Sequence, residues 1–170
     1  MTLSTSRALV VGPGEGRLVD LGGLGVHFKV SGRDTAGAVA VVEHPIAPRL
    51  LVPPHVHTKE DELSYVLSGR IGARIGDEIV EAREGSYIFK PRNVGHTFWN
   101  PTDEPARLLE IIVPAGFDQY FAEIADLFAT GVRPGGPEHE AISHRYGESH
   151  FFDWVPELKA RYGLRLLGEQ

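Results

Sequence analysis

A chain of 170 residues with a formal charge of −6 and no cysteine is sized for one domain with its own hydrophobic core, and it excludes disulfides and thiolate metal sites. Its 17 Lys and Arg, against 23 Asp and Glu, are scattered along the chain, which argues against a nucleic-acid surface. Between Met1 and Gly16 the longest apolar run is Ala8 to Val11, shorter than the about 7–15 residues of a secretory signal core, and no run approaches the ~18 apolar residues of a membrane span; a cytoplasmic protein, with neither nucleic acid nor membrane as a partner, is expected.

In chain order, short runs rich in β-branched and aromatic residues predict strands at 25–30, 38–44, 50–56, 62–68, 70–75, 78–82, 86–90, 95–99 and 106–113. Gly76-Asp77 reads as a hairpin turn, and Pro101 to Pro105 breaks the chain before the last of these strands. Many short strands at close spacing imply a mainly β sandwich or barrel. Behind Pro114 the period changes. Phe117, Tyr120, Phe121, Ile124, Leu127 and Phe128 recur at helical spacing, with Asp118, Gln119, Glu123 and Asp126 largely opposite, the pattern of an amphipathic helix. Gly131 to Pro137 interrupts it, and weaker helices are predicted at 138–146 and 156–162. The apolar helix face is expected to pack on the outside of a sheet; a lid over the open end of the β structure, or a dimer contact, is the other reading.

The chemistry is concentrated at His55 and His57. On an extended strand, residues two apart point the same way, so two imidazoles can converge on one point. Glu62 follows closely enough to bring a carboxylate to the same point, and His96 is a fourth candidate. Such a set suits Fe, Mn, Ni, Cu, Co or Zn without choosing among them. The remaining histidines, His27, His44, His139, His144 and His150, lack a spaced partner of ligand type and read as structural, with His44 on an apolar strand that can face an interior.

His55, His57, Glu62 and Gly69, followed by Gly85, Pro91, His96 and Asn100, stand at the spacings of the two motifs of the cupin superfamily, and the chain resembles its small single-domain members, similar to quercetin dioxygenase-like proteins. Arg49 and Asn93 stand where the motifs have glycine; Asn tolerates positive φ well, whereas Arg49 leaves the start of the first motif open. The resemblance implies a single cupin domain over 1–170: a double-stranded β-helix, or jelly-roll, barrel at about 24–114 and a helical C-terminal extension at about 115–170. It also implies one divalent transition metal held by His55, His57, Glu62 and His96, with Glu62 able to double as the catalytic base for a substrate hydroxyl.

Strand alternation places Ser64 and Val66 on the face of Glu62, and Phe98 and Asn100 on that of His96; on the neighbouring strand either Tyr87 and Phe89 or Ser86 and Ile88 turn inward. The candidate substrate pocket is therefore Ser64, Val66, Phe89, Phe98 and Asn100, mostly apolar, as a small aromatic ligand would need. The expected function is a metal-dependent dioxygenase-like enzyme acting on a small phenolic molecule. A metal-containing binding protein without turnover, or a cupin isomerase or decarboxylase, is the alternative. A homodimer is expected, through an N-terminal strand or the 117–128 helix, because unprotected sheet edges invite association.

Overall fold

The computed structural model describes residues 8–132 and 134–169. Residues 1–7, part of the N-terminal stretch judged above for a signal sequence, lie outside the described residues, as does Arg133 of the predicted break. The chain runs β1 (Leu18–Asp20), β2 (Gly25–Val30), β3 (Ala40–Ile46), β4 (Leu50–Leu51), β5 (His55–His57), β6 (Asp61–Ser68), β7 (Arg70–Ile75), β8 (Glu78–Arg83), β9 (Tyr87–Lys90), β10 (His96–Trp99) and β11 (Ala106–Val113). It continues through α1 (Phe117–Ala129), α2 (Pro137–Tyr146), β12 (Glu148–His150), α3 (Val155–Tyr162) and β13 (Arg165–Leu166). No described helix is long and apolar enough to cross a membrane.

Two sheets face one another. One has the order β1-β2-β3-β11-β6-β9; in the other, β10 pairs on one side with β7, which carries β8, and on the other with both β5 and β4. The predicted strand at 50–56 is divided because Pro53 and Pro54 offer no backbone N–H to a ladder, and the halves β4 and β5 dock separately on β10. Instead of a closed barrel, the strands form a two-sheet jelly roll: β6 crosses to the other sheet through Gly69, whose φ is 80°. The last stretch is not purely helical either, since β12 extends the second sheet beside β5 and β13 runs parallel to β4.

Alternation sets the inner face. Ala40, Val42, His44 and Ile46 of β3 point in, as do Ala106, Leu108, Glu110 and Ile112 of β11. At one end the sheets meet over a core that includes Leu24, Ile46, Leu50, Val66, Ile71, Phe98 and Leu108. At the other end they diverge, and α1 fills the gap: Phe117, Tyr120, Phe121 and Ile124 pack with Val26, Ala40, Val42 and Ile112. The helix thus closes the open end rather than covering the outside of a sheet. The apolar side chains of β2, β3 and β11 have no facing strand there, and burying an aromatic face against them is favourable by about 1.5–3 kcal/mol per large side chain.

The two motif positions that lack glycine both adopt left-handed backbone, Arg49 at φ 57° and Asn93 at φ 63°. Arg49 is held there by its own side chain, which donates to Asp103 at 2.8 and 2.9 Å and to the carbonyl oxygen of Pro101 at 2.6 Å.

Candidate metal centre

Each side chain of the centre is placed by its strand. The extended Pro53-Pro54 segment delivers β5, and the i, i+2 spacing turns His55 and His57 to the interior while Val56 turns away. Antiparallel pairing of β10 with β5 sets His96 opposite His55, with their ring centroids 4.5 Å apart. Glu62 comes from the facing sheet, near the start of β6. One donor atom from each of His55, His57, Glu62 and His96 lies within 4.8 Å of every other, and all four residues are buried.

The orientation of the rings suits an ion. Nδ1 of His55 is 2.7 Å from the Pro53 carbonyl oxygen, and Nδ1 of His96 is 3.0 Å from that of Val94. Each therefore donates its N–H to the backbone and presents Nε2 to the centre, as backbone carbonyls commonly orient metal-binding imidazoles. Nε2 of His57 and Nε2 of His96 are buried without a hydrogen-bond partner, 3.5 and 3.3 Å from the oxygens of Glu62. Burial pushes His57 down to about 4 and His55 well below the ordinary imidazole range, so both rings are neutral at pH 7 with lone pairs free. Orphaned buried nitrogens around a carboxylate are what a divalent transition ion would satisfy, and the donor set fits one.

A second polar layer, invisible to the sequence reading, stands behind Glu62. Lys90 is only 1% exposed, and its Nζ lies 2.8 Å from Oε2 of Glu62 and 2.8 Å from Oε2 of Glu110. Ser64 Oγ donates to Glu110 at 3.0 Å. Burial opposes ionisation of Glu62, but the ammonium of Lys90, with His57 and His96, prevails and holds its carboxyl well below the usual range. Glu110 goes the other way: burial, aided by the charge of Glu62, raises it to about 7 against the pull of Lys90. The signal available in the sequence was alternation: if Ile88 points inward on β9, so does Lys90.

Two of the four, His55 and Glu62, line a cavity of about 110 Å³. His55, Glu62 and Glu110 form its polar end, and Phe98, Phe117, Phe121 and Ile124 much of its apolar wall. Phe117 lies edge-on to His57 at 4.3 Å between ring centroids. His44, assigned above a structural role, is also in the wall; its Nδ1 is 2.8 Å from the Gly25 carbonyl oxygen, and burial lowers it to about 4. Of the pocket residues expected from sequence, Phe98 lines the cavity. Ser64 and Val66 face inward but are engaged by Glu110 and by the core between the sheets. Asn100 is buried elsewhere, its Nδ2 donating to the Glu104 carbonyl at 2.7 Å. Phe89 does not belong to the pocket: with Ile88 and Lys90 inward it is turned to solvent at 58% exposure, beside Tyr87 at 70%. Further parts of the wall come from α1, α2 and β12, including Tyr120, His139, Glu148 and His150.

Residues 43–112 match the family model described as Cupin domain. No curated protein matches the chain. Among solved structures, KdgF from a Halomonas species superposes with a TM-score of 0.60 at 15% identity, over 66% of this chain and 99% of that one. A predicted oxalate decarboxylase from Thermotoga maritima gives 0.57 at 19% identity, over 62% and 99%. An RmlC-like cupin from Shewanella frigidimarina gives 0.54 at 18%, over 68% and 99%. At these identities the likeness is one of fold. The chain folds as a cupin jelly roll.

Proposed function

We propose that this chain is a metal-dependent, dioxygenase-like enzyme for a small aromatic molecule bearing a phenolic hydroxyl. The observation that carries the reading is a three-histidine, one-glutamate donor set beside a mostly apolar cavity with several aromatic side chains in its wall. A redox-active divalent ion in that set would acidify a substrate hydroxyl and exchange electrons with O₂. The chain does the rest. Phe98, Phe117 and Phe121 confine a flat ring and keep bulk water from it. Glu62 stands where the hydroxyl proton would be taken, and Lys90 balances its charge against Glu110. Loaded with a redox-active metal, the protein is expected to consume O₂ with a member of a panel of flavonols, catechols and related enols, and Glu62→Gln is expected to slow uptake more than it depletes metal.

A binding protein without turnover is the second reading, and one observation favours it. Lys90 at 2.8 Å keeps Glu62 ionised, which makes it a weak base. Absence of O₂ uptake across the panel, with ligand binding retained, would move the account to this reading.

A further inference from the structure

The stretch from α1 to β12 lies beyond the residues that match the cupin domain, yet it builds one side of the cavity. β12 pairs antiparallel with β5, setting Glu148 opposite His57 and His150 opposite His55. Directly paired residues on antiparallel strands share a face, so Glu148 and His150 turn to the same interior as the metal-binding rings. The His150 ring centroid is 6.2 Å from that of His55.

Their neighbours determine what they offer a ligand. Nδ1 of His150 is 3.1 Å from Oε1 of Glu140. Donation there leaves Nε2 a lone pair, 3.6 Å from Oε1 of Glu148 and not hydrogen-bonded to it. Tyr120, whose hydroxyl is 2.8 Å from Nε2 of His139 and accepts from Ser143 at 3.2 Å, backs the group. Oε2 of Glu148 is different. It is buried with no hydrogen-bond partner, on a residue only 4% exposed that lines the cavity. Buried polar atoms in folded proteins are nearly always partnered. Among the described residues, no donor reaches Oε2.

We propose that Glu148 determines ligand specificity by accepting a hydrogen bond from an O–H or N–H adjacent to the oxygen that faces the candidate metal-binding residues. The ligand class is then a compact ring with two neighbouring polar groups, one of them a donor: catechol-like rather than a simple phenol or its ether. This rests on the phenolic reading above.

The test is calorimetric titration of the untagged protein, loaded with zinc so that neither ring is oxidised, with catechol and with guaiacol, its monomethyl ether. Wild type is expected to prefer catechol by on the order of tenfold or more, since a site built around a hydrogen bond rejects the analogue lacking it. Glu148→Leu is expected to lose that preference while keeping wild-type zinc content and circular dichroism. Glu148→Gln, whose amide oxygen still accepts, is expected to retain most of it. Glu148→Met provides the same comparison if the leucine variant does not fold. Equal affinities in wild type overturn the inference, and so does a preference that survives Glu148→Leu, because chelation by the metal then explains it. Binding of neither ring overturns the phenolic reading and this inference together, whereas equal binding of both overturns this inference alone.

Discussion

Replacing Lys90 by Met tests the buried layer behind the candidate metal centre. The ammonium holds two carboxylates at 2.8 Å in a site that is 1% exposed; without it, Glu62 and Glu110 face each other with no counter-charge. Removing one partner of a buried ion pair costs about 3–5 kcal/mol. Glu110, already raised to about 7, can take up a proton near neutral pH and relieve one of the two charges, so the loss belongs at the low end. At about 2–4 °C per kcal/mol for a chain of this size, the metal-free variant should melt about 6–12 °C below wild type at pH 7. The sign with pH follows from Glu110: a carboxyl raised in the folded state contributes stability below its unfolded value of about 4.5 that is lost as pH rises through about 7. The deficit of Lys90→Met should therefore be larger at pH 8 than at pH 6. The double variant Lys90→Met, Glu110→Leu should recover much of the loss, because apolar replacement of buried ion pairs is often close to neutral. Scanning calorimetry reads all three. A single variant melting within about 2 °C of wild type at pH 8, with a double variant no more stable than the single, would show that Lys90 does not stabilise the two carboxylates.

Burial holds His44 neutral down to about 4, so its contribution is present above about 6.5 and lost as pH falls toward 4; at about 1.36 kcal/mol per pKa unit this is on the order of 3 kcal/mol. Urea unfolding should find His44→Gln less stable than wild type at pH 7 and the gap narrowed at pH 4.5; a gap that is constant with pH contradicts it. A Cβ at Gly72 would collide with the indole ring of Trp99, so Gly72→Ala should destabilise by about 1–3 kcal/mol from overpacking, and an unchanged thermal midpoint would place that pairing in error. Light scattering at micromolar concentration is expected to report a homodimer. Because α1 buries its apolar face within its own chain, surface substitutions on that helix should leave the dimer intact, and a monomeric wild type would remove the expectation.

Much of the centre was legible because it is local. His55 and His57 share a strand face by a two-residue period, and the spacings to Glu62 and His96 carried the cupin resemblance. Strand and helix positions followed from the same periodicities, with the split at Pro53-Pro54 the main departure. Phe89 was uncertain because alternation leaves a choice of face, and the buried pairing of Lys90 with Glu62 and Glu110 makes that choice only once three strands are assembled. The sequence marks out neither Glu148 nor His150 as a cavity residue, for a related reason. Their approach to His55 and His57 depends on a three-residue strand, Glu148–His150, docking on β5 from far along the chain, and so short a polar strand has no hydrophobic pattern to announce it. The role of α1 in closing the cavity was likewise a matter of which apolar surface remained uncovered, which periodicity does not record.

Whether His55, His57, Glu62 and His96 hold one metal ion is read out by elemental analysis of untagged protein purified without added metal. Close to one equivalent of a divalent transition metal per chain is expected, removable by a chelator, with near-complete loss of it in His57→Ala and His96→Ala and the fold retained by circular dichroism. Wild type that takes up no transition metal even when it is supplied, or alanine variants that hold it as well as wild type does, would contradict that expectation.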